Sequence, residues 1–113
     1  MQFLKALNHK MAKFRVKIDS DALLDIQEAT DWYNKQLTGL GSRFQKQVKQ
    51  QINSLKANAE NYSIRYNDVR CMTIKKFPFL VHFIIENSTK TVEVFAVIHT
   101  SRNPAIWDEK RKL

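Results

Sequence analysis

Thr38-Gly39-Leu40-Gly41 holds both glycines of the chain. Two such residues within four positions mark a tight connection, because glycine takes positive φ at little cost and commonly ends helices. The flanks are helical in period. Upstream, Ala22, Ile26, Ala29, Tyr33 and Leu37 recur at spacings of four, three, four and four, one stripe of a helix that Asp19 and Ser20 are suited to cap. This spacing predicts a helix over roughly residues 20–37. Downstream, Phe44, Val48, Ile52, Leu55 and Ala59 share one face of a second helix, roughly residues 42–58, whose other positions carry Arg43, Lys46, Lys49 and Lys56 among glutamines and no acid. The glycine pair therefore closes an αα-hairpin. On its first helix Asp21, Asp25, Glu28 and Asp31 fall opposite the apolar stripe and read as a solvated face, several of them in the first turns where carboxylates suit the helix dipole. Trp32 lies off the stripe, at a helix boundary or partly exposed.

Outside the hairpin the period changes to two. Phe14-Arg-Val-Lys-Ile18 alternates apolar and basic residues, the pattern of a short edge strand with one buried face. From residue 63 onward β-branched and aromatic residues rise, which predicts strands over Ser63–Tyr66, Val69–Phe77, Phe79–Glu86 and Thr91–His99, with breaks at Pro78 and Asn87-Ser-Thr-Lys90. Helices and strands are segregated, so the fold class is two-layer α+β: an N-terminal strand and a helical hairpin packed on an antiparallel sheet, in β-α-α-β-β-β order. By parity, Met72, Ile74, Val81, Phe83, Val94, Ala96 and Ile98 face the hairpin, and Cys71, Thr73, Lys75, His82, Ile84, Phe95, Val97 and His99 face away. Phe95 and Val97 make that second face too apolar to be simply wet. The tail carrying Ile106 and Trp107, a second copy or a partner is expected to cover part of it.

Composition sets the bounds. With 113 residues, 43% hydrophobic, 27% charged, two glycines and two prolines, the chain fits one domain with one core, and a two-domain enzyme is excluded by size. Residues 1–13 read as an N-terminal extension, with Met11 just before the first strand, and residues 14–113 as the domain. Nineteen Lys and Arg against eleven Asp and Glu give +8, which favours phosphate-bearing or otherwise acidic partners. Cys71 is the only cysteine; it excludes an internal disulfide and any multi-cysteine metal site, and reads as a small buried apolar residue. No apolar run approaches the ~18 residues of a membrane span, and the start lacks a secretory apolar region. A cytoplasmic protein with no membrane partner is expected.

The usual catalytic signatures are missing: no glycine-rich phosphate loop, no nucleophile elbow and no helical metal motif. What remains is Arg65, Arg70, Lys75, Lys76, His82, His99 and Arg102 near the sheet. Metal-free RNA cleavage needs a base for the 2′-hydroxyl, an acid for the leaving oxygen and cations for the phosphate, and these types can supply all three. The plainer reading stands beside it. His99 closes a strand and can simply satisfy a nearby carbonyl, His82 alternates between Val81 and Phe83 as a sheet residue, and Lys75, Lys76, Lys110, Arg111 and Lys112 are ordinary solvated charges. Arg70 and Arg102 flank strand ends, where side chains converge on an open surface.

Ile26-Gln-Glu-Ala-Thr-Asp-Trp-Tyr33, Gly39-Leu40-Gly41 and Arg43-Phe44 resemble the first half of the RelE/ParE superfamily of toxins from type II toxin-antitoxin systems. Arg70, Phe77-Pro78-Phe79-Leu-Val-His-Phe83, Val94-Phe-Ala-Val-Ile-His99, Arg102-Asn-Pro104 and Trp107 extend the resemblance to about residues 14–111. It implies a basic, plasmid-stabilising toxin that arrests growth and forms a hetero-oligomer with a cognate antitoxin, whose C-terminal segment wraps its hydrophobic grooves. Phe95 and Val97 would then be antitoxin-binding residues. RelE-like members cut mRNA in the ribosomal A site, whereas ParE-like members block DNA gyrase without chemistry of their own. The Trp-Tyr pair, the Gly-Leu-Gly turn and the Phe-Pro-Phe segment look closer to the ParE branch. On that reading Lys75, Lys76, Trp107 and Arg111 bind the target. On the RelE-like alternative, an endoribonuclease, Arg70, His99 and Arg102 are catalytic, though Trp107 stands where many RelE chains carry a late tyrosine. An inactive scaffold with the same fold is the third reading. None of them calls for a cofactor or a metal.

Overall fold

A computed structural model of the chain describes residues 13–102. Strand β1 (Arg15–Ile18) leads into α1 (Ser20–Gln36) and α2 (Leu40–Asn58); a 3-10 turn at Ala59–Asn61 precedes β2 (Ile64–Tyr66), β3 (Val69–Thr73), β4 (Phe79–Glu86) and β5 (Thr91–His99). The α+β architecture is as expected, with the helical hairpin on one face of a five-stranded sheet of order β1-β5-β4-β3-β2. Short β2 falls within the strand expected over Ser63–Tyr66, which the β-α-α-β-β-β shorthand does not count. β1 is an edge strand as anticipated, but it runs parallel to β5, while every other pairing is antiparallel.

Two elements end differently from the sequence pattern. β3 stops at Thr73 instead of reaching Phe77, because Lys76 turns the chain at φ 71° and Gln51 of α2 holds the turn. Its Nε2 donates to the Thr73 carbonyl at 2.9 Å, and its Oε1 accepts the Lys75 N–H at 2.8 Å. Leu37 leaves the apolar stripe of α1: it is the extended C-cap residue and is 60% exposed. At the other end Asp19 is the N-cap, yet it makes no side-chain cap bond. Its backbone N–H donates to the Val94 carbonyl at 2.9 Å, so the strand-to-helix junction is tied to β5 instead.

The two glycines do different work. Gly39 sits at φ 89°, the left-handed conformation that lets the chain reverse. Gly41 is helical and buried; a Cβ there would collide with the Thr30 carbonyl oxygen and with the Asn34 side chain. Its N–H donates to Asn34 Oδ1 at 2.7 Å, closing the hairpin backbone to side chain. Below the contact, fully buried Phe44 meets the rings of Tyr33, Phe77 and Phe79 at centroid distances of 5.3, 5.2 and 5.0 Å. Pro78 bends the chain so that both neighbouring phenylalanines enter that cluster.

The faces of β5 correct the parity reading. Phe83 pairs with Val94 and His82 with Ala96, so Phe95 is the extra residue of a β-bulge. Val94 faces the helices, Phe95 and Ala96 both face away, and the alternation beyond is inverted. Val97, expected on the second face, is buried in the helix-side core with Val92, Val94 and Phe83. Ala96 and Ile98, expected beneath the hairpin, lie in the opposite cluster with Val69, Cys71, Leu80 and Phe95. The tail named as a cover for that face lies outside the described residues.

Because the Gly41 contact is with backbone, Gly41→Ala is expected to lower the unfolding free energy by about 1–3 kcal/mol, the usual cost of forced overpacking. Urea denaturation measures it, and an unchanged midpoint would refute the close approach.

Candidate functional site

The bulge brings His99 and Arg102 to a 220 Å³ cleft between α1 and the end of β5, lined also by Asp25, Glu28 and Phe79. β1 reaches only as far as Val94 along β5. Beyond that point Asp25 takes over, and its Oδ2 accepts the Val97 N–H at 3.0 Å. Asp25 is therefore half-buried and structural rather than part of a solvated face, while Asp21, Glu28 and Asp31 are exposed as expected. His99 is oriented by two contacts. Its ring packs edge-on against Phe79 at 5.2 Å, and its Nδ1 accepts the Ser101 N–H at 3.0 Å and the Ser101 hydroxyl at 2.8 Å. Both contacts to Ser101 are made within the turn by Nδ1, and the carboxylates of Asp25 and Glu28 that line the same cleft oppose a phosphate there.

Arg70 is not brought to this cleft. It pairs with Phe83, whereas His99 pairs with Phe79, so the two are four residues and two strands apart, roughly 17 Å at ~3.4 Å per residue and ~4.8 Å per strand. The guanidinium points the other way, donating to the Tyr62 carbonyl at 2.5 Å and the Glu60 carbonyl at 3.4 Å. It ties the 3-10 turn to β3. The expected catalytic set of Arg70, His99 and Arg102 is thus split, with only the last two sharing a cleft.

Lys75 and Lys76 sit exposed on the β3–β4 turn. Lys76 lines a 510 Å³ groove with Arg43, Lys46, Gln47, Gln50, Leu40 and Phe77. The two lysines were legible as charges in the sequence; their companions on α2 were legible only as a basic helix. Gln51, which positions the turn, carried no sequence signal at all. Of the residues expected to meet an antitoxin, Phe95 and Val97 are both buried, on opposite faces of the sheet. Trp107 and Arg111 lie outside the described residues.

A buried polar cluster occupies the second face. His82, with no exposed surface, places Nδ1 3.1 Å from the Tyr66 hydroxyl and 3.4 Å from Cys71 Sγ, which bears out its reading as a sheet residue. Burial pushes the Cys71 thiol up from 9.0 to about 11, against a lowering contribution from Arg65. It is a neutral thiol rather than a nucleophile. Burial also raises Tyr33 above its ordinary phenol value. Among the described residues no group of three or more His, Cys, Asp or Glu side chains is placed to hold a metal ion.

The chain matches a known family. The family model for the ParE toxin of the type II toxin-antitoxin system parDE matches residues 16–104. The chain belongs to the ParE toxin family. The toxin resembles the chromosomal ParDE system from P. aeruginosa with a TM-score of 0.71 and 16% identity, covering 80% of this chain and 99% of that one. It resembles the intact E. coli RelBE toxin-antitoxin complex with a TM-score of 0.60 and 16% identity, over 79% and 99% of the two chains. The isolated E. coli RelE toxin gives 0.58 and 17% identity, over 88% and 99%. At these identities the structural likeness speaks for the fold. A search of curated protein sequences returned no match.

Two outcomes follow from the geometry of the toxin. Arg70→Met is expected to lower stability by about 1.5–3 kcal/mol through its lost carbonyl bonds, with growth arrest intact at low temperature. A stable variant without toxicity would return Arg70 to an active site. Folding also raises the Cys71 thiol from 9.0 to about 11, so its stabilising contribution is full below pH 9 and is lost as pH climbs through 11. Iodoacetamide labelling of folded toxin should keep accelerating up to about pH 11, whereas the unfolded chain levels off above about pH 9. A plateau near pH 9 in both states would contradict the shift.

Proposed function

We propose that this toxin arrests growth by binding its target rather than by cutting RNA, and that the target is DNA gyrase, in the manner of the ParE branch. The observation that carries this reading is the dispersal of the cleavage residues. Arg70 is engaged with backbone carbonyls, and His99, bonded through Nδ1 to Ser101, lies in a separate cleft beside Asp25 and Glu28. A transesterification site needs base, acid and cations within hydrogen-bond reach of one phosphate. The ParE family model supports the same branch. On this reading Lys75 and Lys76, with Trp107 and Arg111 of the tail, dock on the target.

A cognate antitoxin is the partner that neutralises the toxin, a reading supported by toxin-antitoxin complexes among the structural relatives. With Phe95 and Val97 buried, the apolar surface open to it includes Leu23, Leu24 and Trp32 of α1 and Leu37 at its end, each at least half exposed. A bound antitoxin segment would cover these side chains.

The test is induction in bacterial cells without antitoxin, with DNA and protein synthesis pulse-labelled over the first minutes. DNA synthesis is expected to stop first, and His99→Ala/Arg102→Ala is expected to remain toxic. If protein synthesis stops first and the double variant loses about 10²-fold or more in mRNA cleavage, the toxin is an endoribonuclease.

A further inference from the structure

The outward faces of the two helices carry opposite charge. α1 has Asp21, Glu28 and Asp31 against Lys35, whereas α2 has Arg43, Lys46, Lys49 and Lys56 and no acid. All four cations are exposed, on the side of α2 away from buried Phe44, Val48, Ile52 and Leu55. They form a winding row spanning roughly 20 Å of a rigid helix at ~1.5 Å per residue and fanning over about 140° of its circumference at ~100° per residue. At its N-terminal end the row continues onto the sheet, where Lys76 joins Arg43 and Lys46 around the 510 Å³ groove, which no carboxylate lines. The first acid beyond the row, Glu60, lies 3.5 Å from Lys13.

This gathering of charge works against the fold. Arg43 stands in the first turn of α2, where a cation opposes the helix dipole and no acid offsets it. Lys76 is a non-glycine residue at φ 71°, held there by the Gln51 bonds to Thr73 and Lys75. Three like charges around one groove repel one another. A polyanion would relieve the two electrostatic costs, at Arg43 and among the three cations.

We propose that the α2 face, with Lys76, binds the phosphate backbone of duplex DNA without reading its sequence. Single-stranded nucleic acid calls for open aromatic faces on which bases stack. The groove offers only Phe77, whose ring is already packed edge-on against Tyr33 and Phe44. Exposed cations spread along a rigid helix suit a duplex backbone instead, and the acids of α1 confine the contact to the α2 side of the hairpin. The choice of DNA over an RNA duplex rests on the gyrase reading above.

Fluorescence anisotropy of a labelled DNA duplex with purified full-length toxin tests this across a salt series. With four or five phosphates contacted, the log–log salt slope should be about −4, an affinity loss of about 10²-fold between ~50 and ~200 mM salt. The variant Arg43→Gln/Lys46→Gln/Lys76→Gln should flatten the slope by about 2.7, whereas Arg15→Gln/Lys17→Gln on β1 should leave it unchanged. An unchanged slope in the triple variant overturns the site. Tighter binding of a single strand or of poly-glutamate than of the duplex overturns the ligand, and tighter binding of an RNA duplex overturns the assignment to DNA. Gyrase supercoiling assayed in parallel separates the two readings. Toxin that inhibits gyrase but fails to bind duplex sinks this inference alone, while duplex binding lost with the triple variant sustains it whether or not gyrase is inhibited.

Discussion

The two helices meet backbone against backbone at Gly41, and the placement of everything on the α2 side of the molecule follows from that contact. No side chain larger than hydrogen fits between α2 and the Thr30 carbonyl, and Asn34 locks the approach by accepting the Gly41 N–H. Close approach lowers Phe44 into a ring cluster shared by α1, α2 and the lead-in to β4. With that face of α2 committed to the core, its cations have only the outward face to occupy. Gln51 then extends α2's influence to the sheet by fixing where β3 ends and where Lys76 stands.

A second constraint is the bulge at Phe95. One extra residue inverts the faces of the rest of β5, so Val97 enters the helix-side core and His99 comes to rest beside α1. The same inversion sets the Val97 N–H where β1 no longer reaches, and Asp25 supplies the missing acceptor. The cleft that collects His99 and Arg102 is therefore walled by carboxylates, one of them needed for the fold. This combination is poorly suited to phosphate chemistry and well suited to a fixed surface.

Charge then separates along the hairpin. The cleft between α1 and β5 is acidic on one wall, and the groove between α2 and the β3–β4 turn is wholly basic among its ionisable groups. A protein of net charge +8 thus has a sided field rather than a uniform one. Sidedness orients a docking protein during encounter, before any short-range contact forms.

Much was legible in the residues. The stripes of α1 and α2, the glycine turn, the edge strand and the limits of β4 and β5 followed from hydrophobic period and turn chemistry, because each is a local pattern. The resemblance to RelE/ParE toxins followed from the same stretches in order. Two things had no local signature. Val94-Phe-Ala-Val-Ile98 is apolar throughout, so no polar residue marks where the alternation flips, and only pairing with β4 shows that Phe95 is extra. Arg70, His99 and Arg102 are all nitrogen-bearing side chains at strand ends in the sequence, yet strand register sets Arg70 roughly 17 Å from His99. The sequence by itself determined which elements form and which helix face is basic, since periodicity and charge are properties of neighbouring residues. Which side chains share a site was decided only by tertiary structure, because register and helix approach depend on contacts between residues far apart in the chain.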